Sequence, residues 1–151
     1  MAKEYLQGKF TPRNPQKYIG NVNNITFRSS WEKKLFIWLD ETPNILKWNS
    51  EEFIIDYISP VDRKKHRYYV DCAVEYKTKD NIIKKALIEV KPKNQTEKPQ
   101  QPKRMTKYFA ESVKTYAINQ AKWEAATRWC KERNWDFIIL TEEHLFPSKK
   151  Y

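Results

Sequence analysis

Residues 67–91 carry the pattern that most restricts the fold: two stretches of period-two hydrophobicity joined by turn formers. From 67 to 76, Tyr68, Val70, Cys72, Val74 and Tyr76 recur at every second position and so share one face of a strand. The run K-T-K-D-N then has the Asp/Asn chemistry of a turn. The second stretch, 82–91, stops at Pro92, which cannot donate to a strand ladder. An antiparallel hairpin is predicted. An earlier strand is predicted over 52–59 (E-F-I-I-D-Y-I-S), ended by Pro60.

Helical signals flank these strands. Ser29 or Ser30 can cap a helix through W-E-K-K-L-F-I-W-L-D, with Trp31, Leu35, Trp38 and Leu39 as its apolar stripe and Pro43 marking its end. A long helix is predicted from about Thr106 to Arg133, with Phe109, Val113, Tyr116, Ala117 and Trp123 on its apolar side. The wholly apolar D-F-I-I-L after it reads as an interior strand. The segment holding Pro92, Pro99 and Pro102 reads as a mobile loop. The order is α-β-β-β-α-β, an α/β fold with a mixed sheet and helices packed on it. Residues 1–28, with aromatics at Tyr5, Phe10, Tyr18 and Phe27, read as a basic N-terminal arm before a domain over 29–151.

At 151 residues the chain can bury one core, and 15% aromatic content argues against disorder despite 32% charged residues. Net charge is +10, which points to a polyanion, with nucleic acid ahead of a membrane surface. No stretch approaches the roughly 20 apolar residues of a membrane span, and the N-terminus lacks a secretory apolar region. A soluble cytoplasmic product with no small-molecule cofactor is expected. Cys72 and Cys130 lack metal-type spacing and read as small core residues in a reducing compartment.

One stretch needs a chemical explanation. In A-L-I-E-V-K-P-K-N, Glu89 and Lys91 project with Leu87 to one side of an apolar strand, while Ile88 and Val90 face the other way. Asp71 falls on the face opposite Tyr68, Val70 and Cys72. If the hairpin pairs as predicted, Asp71 and Glu89 meet on adjacent strands. Two carboxylates held together repel, and burying them uncompensated is costly. A divalent cation resolves both problems; carboxylate oxygens suit Mg²⁺, with Mn²⁺ as substitute, and the Val90 carbonyl can add an oxygen. Lys91 can then hold an attacking water or offset charge on a phosphate.

An acid on one strand followed by Glu89-Val90-Lys91 on the next resembles the PD-(D/E)xK nuclease superfamily, with Val70 where that pattern has Pro. The stretches N-P-Q-K-Y-I-G, I-T-F-R-S-S-W-E, W-N-S-E-E, S-P-V-D, H-R-Y-Y-V-D, I-E-V-K-P and Y-A-I-N-Q-A-K-W resemble the head-completion nucleases of T-even-type tailed phages. R-S-S-W-E and E-V-K-P also resemble the TnsA endonucleases. The resemblance implies a restriction-endonuclease-like core and a phage DNA endonuclease acting on DNA ends or the filled head, in the host cytoplasm or the virion. It implies metal binding by Glu32 on the first helix; the alternative is a favourable acid at a helix N-terminus, worth roughly 0.3–1 kcal/mol. It implies a site or DNA contact for Gln120, against an ordinary helix-surface amide, with Lys122 a weaker candidate.

Double-stranded DNA would meet Arg63, Lys64, Lys65 and Arg67, the 93–107 segment with Lys93, Lys103 and Arg104, and the arm with Arg13, Lys17 and Arg28. Such contacts position a duplex without reading its sequence. His66 reads as a phosphate-facing loop residue, with a catalytic base as the alternative. His144 reads as surface, and Glu75 as a solvated strand end or a spare ligand. The rival to an enzyme is a non-catalytic virion protein that binds DNA or the portal. A subunit cutting one strand beside a transposase-type partner is a third reading.

Overall fold

The computed structural model describes residues 7–146. Tyr5 therefore lies outside the described residues. Between Gly8 and Phe27 the arm forms a two-stranded ladder, β1 (Gly8–Lys9) with β2 (Thr26–Phe27), around two single turns of 3₁₀ helix. It inserts Phe10, Tyr18, Ile25 and Phe27 into the core. Asp40, almost fully buried, ties the arm down by accepting from the backbone N–H groups of Arg13 and Asn14 at 2.8 and 3.0 Å.

Helix α1 (Ser30–Glu41) begins where Ser29 Oγ accepts the Glu32 N–H at 3.2 Å, satisfying one of the orphan donors of a first helical turn. Its buried face is Glu32, Leu35, Phe36, Leu39 and Asp40. The predicted stripe is thus rotated: Phe36 is buried, whereas Trp38 is half exposed.

The central sheet has four strands in the order β3 (Ile45–Ser50), β6 (Cys72–Lys77), β7 (Ile83–Val90), β8 (Asp136–Leu140). The first two junctions are antiparallel and β7–β8 is parallel, so the sheet is mixed. Its elements follow the chain as α-β-β-β-α-β, and the fold is restriction-endonuclease-like. The β6–β7 hairpin forms as predicted, closed through Thr78–Ile82 with Asn81 at φ 61°.

Three expectations are corrected. The first sheet strand is β3, not 52–59. The latter contributes β4 (Ile54–Ile58), which pairs with β5 (Lys65–Tyr69) in a separate antiparallel hairpin. The predicted strand 67–76 is therefore two strands, broken at Val70–Asp71, where the chain leaves that hairpin and enters the sheet. Its faces change there too: Tyr68 and Val70 join one apolar cluster, Cys72 and Val74 the other. Finally, β8 is an edge strand rather than an interior one, because among the described residues no strand pairs beyond it in the sheet.

The result is three layers. The arm and α1 cover one face of the sheet, packing on Trp48, Cys72, Val74, Ala86, Ile88 and Val90. Helix α3 (Lys107–Glu132) and the β4–β5 hairpin cover the other, where Ala73 and Leu87 meet Trp123, Ala126 and Cys130. Thr106 caps α3 through the Phe109 N–H at 3.0 Å. The apolar side predicted for α3 holds for Trp123, but Val113 is exposed, since the buried face begins only near Asn119. The 92–106 segment includes one helical turn, α2 (Lys93–Thr96), and a last turn, α4 (Glu142–Leu145), follows β8. Both cysteines are buried and free.

Candidate active site

Strand parity decides where the chemistry sits. Leu87 faces α3, so Glu89, two residues on, points into that layer, at the end of β7 where the paired ladder runs out. Cys72 pairs with Ile88, and the next antiparallel step brings Asp71 beside Glu89. The two acids are neighbours on one face. Asp71 is fixed there by its Oδ2, which accepts the Val90 N–H at 2.7 Å. Because the N–H and C=O of a strand residue point to the same edge, the Val90 carbonyl also faces the Asp71 side.

Glu89 is only 5% exposed. Burial and the adjacent Asp71 charge push its carboxyl up to about 8, despite opposing help from the Tyr68 hydroxyl and from Lys91 and Lys122. Its two oxygens have different partners: Tyr68 Oη donates to Oε2, and Lys91 Nζ stands 3.8 Å from Oε1. Lys122 enters from α3. Its Nζ lies over the rings of Tyr57 and Tyr68, 5.9 and 5.6 Å from their centroids. Burial and Lys91 lower its pKa, while Glu89 and Asp71 act in the opposite sense. Asp71, Glu89, Lys91, Lys122 and Tyr68 thus form one electrostatic unit.

Glu32 is buried at the start of α1, and its Oε2 accepts the Arg28 N–H at 3.1 Å. Its charge is felt by the Cys72 thiol, which burial pushes up with Asp71, Glu32 and Glu89 adding to the effect. Yet α1 packs on the sheet face opposite Glu89. Among the described residues, no three His, Cys, Asp or Glu side chains are drawn together as a metal-ligating cluster. The remaining donors, two carboxylates and a strand carbonyl, are all oxygen and fit a hard divalent ion. Such an ion would also offset the crowding of charge that raises the Glu89 pKa.

Gln120 lines an open groove between α3 and β8 with Thr96, Glu124, Phe137 and Ile139; it is Lys122 that couples to the acids. Tyr68 and Lys122 are the residues that local sequence reasoning undervalued. In the sequence Tyr68 is one more member of the alternating face of 67–76, and the hint in Lys122 is a charge beside the buried Asn119 and Trp123. Glu75 lines a different cleft, with Lys47 and Lys85.

The basic residues divide by what holds them. Arg63, Lys64, Lys65 and Arg67 lie on the exposed tip and outer side of the β4–β5 hairpin, while His66, also exposed, lies on the face of Tyr57 and Tyr68 with its ring 5.8 Å from that of Tyr57. His66 belongs to β5, not a loop, and bonds Asp62 at 2.7 Å. Arg28 pairs with Glu51 at 3.0 Å. Lys93 is tied to Glu143 at 2.9 Å, and Lys103 and Arg104 are exposed. Lys17 donates to the carbonyls of Asp40 and Thr42, both at 2.9 Å, so it closes the end of α1 rather than facing a phosphate. His144 is exposed, as expected, and its Nδ1 accepts the Thr141 N–H at 3.0 Å in a capping box.

Comparison with known proteins gives the family. The TnsA-like endonuclease N-terminal family matches residues 42–142, a span that holds Asp71, Glu89, Lys91 and Lys122 and begins after Glu32. The head completion nuclease of Enterobacteria phage T4 is 39% identical over 142 residues, covering 91% of this chain and 92% of that protein. No solved structure matches the chain. By that family match and that identity over nearly the whole chain, this protein belongs to the TnsA-like endonuclease family and is a relative of the phage T4 head completion nuclease.

Proposed function

We propose that this protein is a divalent-metal-dependent DNA endonuclease of a tailed phage, working in head completion on packaged DNA or its ends in the infected host's cytoplasm. The observation that carries the reading is the juxtaposition of Asp71, Glu89 and Lys91 at the end of one antiparallel strand pair. Asp71, Glu89 and the Val90 carbonyl would hold Mg²⁺, or Mn²⁺ in its place, with Glu32 as a further ligand. When bound, the ion supplies charge stabilisation at the scissile phosphate. Lys91 places its Nζ beside the acid pair, where it orients the water that attacks phosphorus in line with the leaving 3′ oxygen. Lys122, held over two aromatic rings, adds positive charge on the helix side. Gln120 is assigned a DNA contact at the groove rim.

Arg28, Arg63, Lys64, Lys65, His66, Arg67, Lys93, Lys103 and Arg104 would follow the phosphate backbone of duplex DNA. No helix among the described residues is long and apolar enough to cross a membrane. Head and portal proteins are the remaining partner class.

A plasmid-nicking assay with Mg²⁺, Mn²⁺ or EDTA tests this. Nicking should need the cation and should disappear in Glu89→Ala and Lys91→Ala while gel-shift binding persists. The absence of a three-ligand cluster among the described residues leaves one rival, a DNA- or portal-binding virion protein without catalysis. Intact plasmid in every lane, with DNA binding retained, would select that rival.

A further inference from the structure

Tyr68 touches the acid pair without taking part in the proposed hydrolysis. It lies on β5, outside the central sheet, yet it is 3% exposed and its hydroxyl donates to Glu89 Oε2. A phenol buried that deeply needs a partner for its O–H, and Glu89 supplies it. The same ring receives the Lys122 ammonium on its face. Glu89 therefore has one oxygen engaged from the hairpin and the other, Oε1, on the side of Lys91. A carboxylate with one oxygen anchored loses rotational freedom about its last torsion and presents the second in a fixed direction.

We infer that Tyr68 is a positioning residue for the metal ligand Glu89: its hydroxyl locks the carboxylate so that Oε1 faces the cation position. This rests on the reading of Asp71 and Glu89 as metal ligands. It assigns the β4–β5 hairpin a part in the metal centre, from a strand that belongs to neither half of the acid–Glu-x-Lys motif. Groups that hydrogen-bond a ligating side chain set its orientation, and their loss typically costs about 10–100-fold in metal affinity or activity.

Tyr68→Phe is the test, because it deletes the hydroxyl and keeps the ring that packs against α3 and Lys122. Mn²⁺ binding to the full-length protein is measured by titration calorimetry without DNA, and nicking is measured against Mn²⁺ concentration. The expected result is a fall of about 10-fold or more in Mn²⁺ affinity, with the melting temperature of the metal-free protein little changed. Nicking should recover towards the wild-type rate when Mn²⁺ is raised, and the KM for DNA should not move. Unchanged or tighter Mn²⁺ binding would overturn the inference; tighter binding would mean that the phenol competes with the ion. If the wild-type protein neither binds Mn²⁺ nor nicks DNA, the endonuclease reading itself fails. The two failures are thus separable.

Discussion

Glu89 shows how one side chain can couple stability to pH. Its carboxyl titrates near 8 in the fold against an ordinary 4.5, because burial and Asp71 oppose its charge. A raised acid pKa means the native state holds its proton more tightly than the unfolded chain does. Stability from this group is fully present below about 4.5 and drains away as pH climbs towards 8. Glu89→Gln removes the penalty. The variant should melt higher than the metal-free wild type at pH 8, by on the order of 5 °C, and the gap should close at pH 4. Calorimetric melts at the two pH values check this; an equal gap at both would mean that Glu89 ionises normally. The Glu-x-Lys spacing was legible because it is local: period two alone places Glu89 and Lys91 on one side. Tyr68 and Lys122 were not, since their contacts depend on how a separate hairpin and a helix dock on the sheet.

Among the elements, the β4–β5 hairpin carries the clearest division of labour. Ile55, Tyr57 and Tyr68 face α3, while Arg67 and Lys65 face out, Lys65 sitting 3.3 Å from Asp56 across the ladder. Replacing Arg63, Lys64 and Arg67 with Ala should leave the melt unchanged and weaken duplex binding. The slope of log K against log salt should flatten by about 0.9 for each phosphate that is no longer neutralised. Binding isotherms at several salt concentrations read this directly; an unaltered slope would remove the hairpin from the DNA path. The hairpin also explains what sequence reading mistook. The alternation from Tyr68 to Tyr76 continues across a break in the strand, so two strands of different ladders look like one. β3 escaped notice for the opposite reason: a bulge between Ile45 and Lys47 disrupts its alternation, leaving I-L-K-W-N-S without a clean period. The helices were read well because caps are local, as Ser29 and Thr106 show.

For the whole molecule, Trp48 is the junction between arm, α1 and sheet. It is 1% exposed, and the rings of Phe10, Tyr18 and Phe36 surround it at 5.9, 4.8 and 5.2 Å. Trp48→Ala should cost about 3–5 kcal/mol in urea unfolding. Deleting residues 1–28 should destabilise comparably, since it strips Phe10, Tyr18, Ile25 and Phe27 from the same cluster. A truncated chain that melts like the full one would make the arm a true appendage. The α-β-β-β-α-β order was legible from the sequence, whereas the arm's depth of insertion was not, because scattered aromatics in a polar segment have no periodicity.

The hairpin's attachment has one more consequence. Ser50 and Cys72 sit opposite each other in the sheet, and the excursion between them is stitched shut at its root, Glu51 N–H to the Asp71 carbonyl and Val70 N–H to the Phe53 carbonyl, both at 3.1 Å. A detour that starts and finishes at one point can grow, shrink or be exchanged at its far end without disturbing the register around it. With the hairpin tip proposed as the grip on DNA and the acid pair as the blade, the two are separately replaceable: grafting a different fingertip beyond Tyr57 and Tyr68 should redirect where the protein lands and leave the proposed cutting edge as it is.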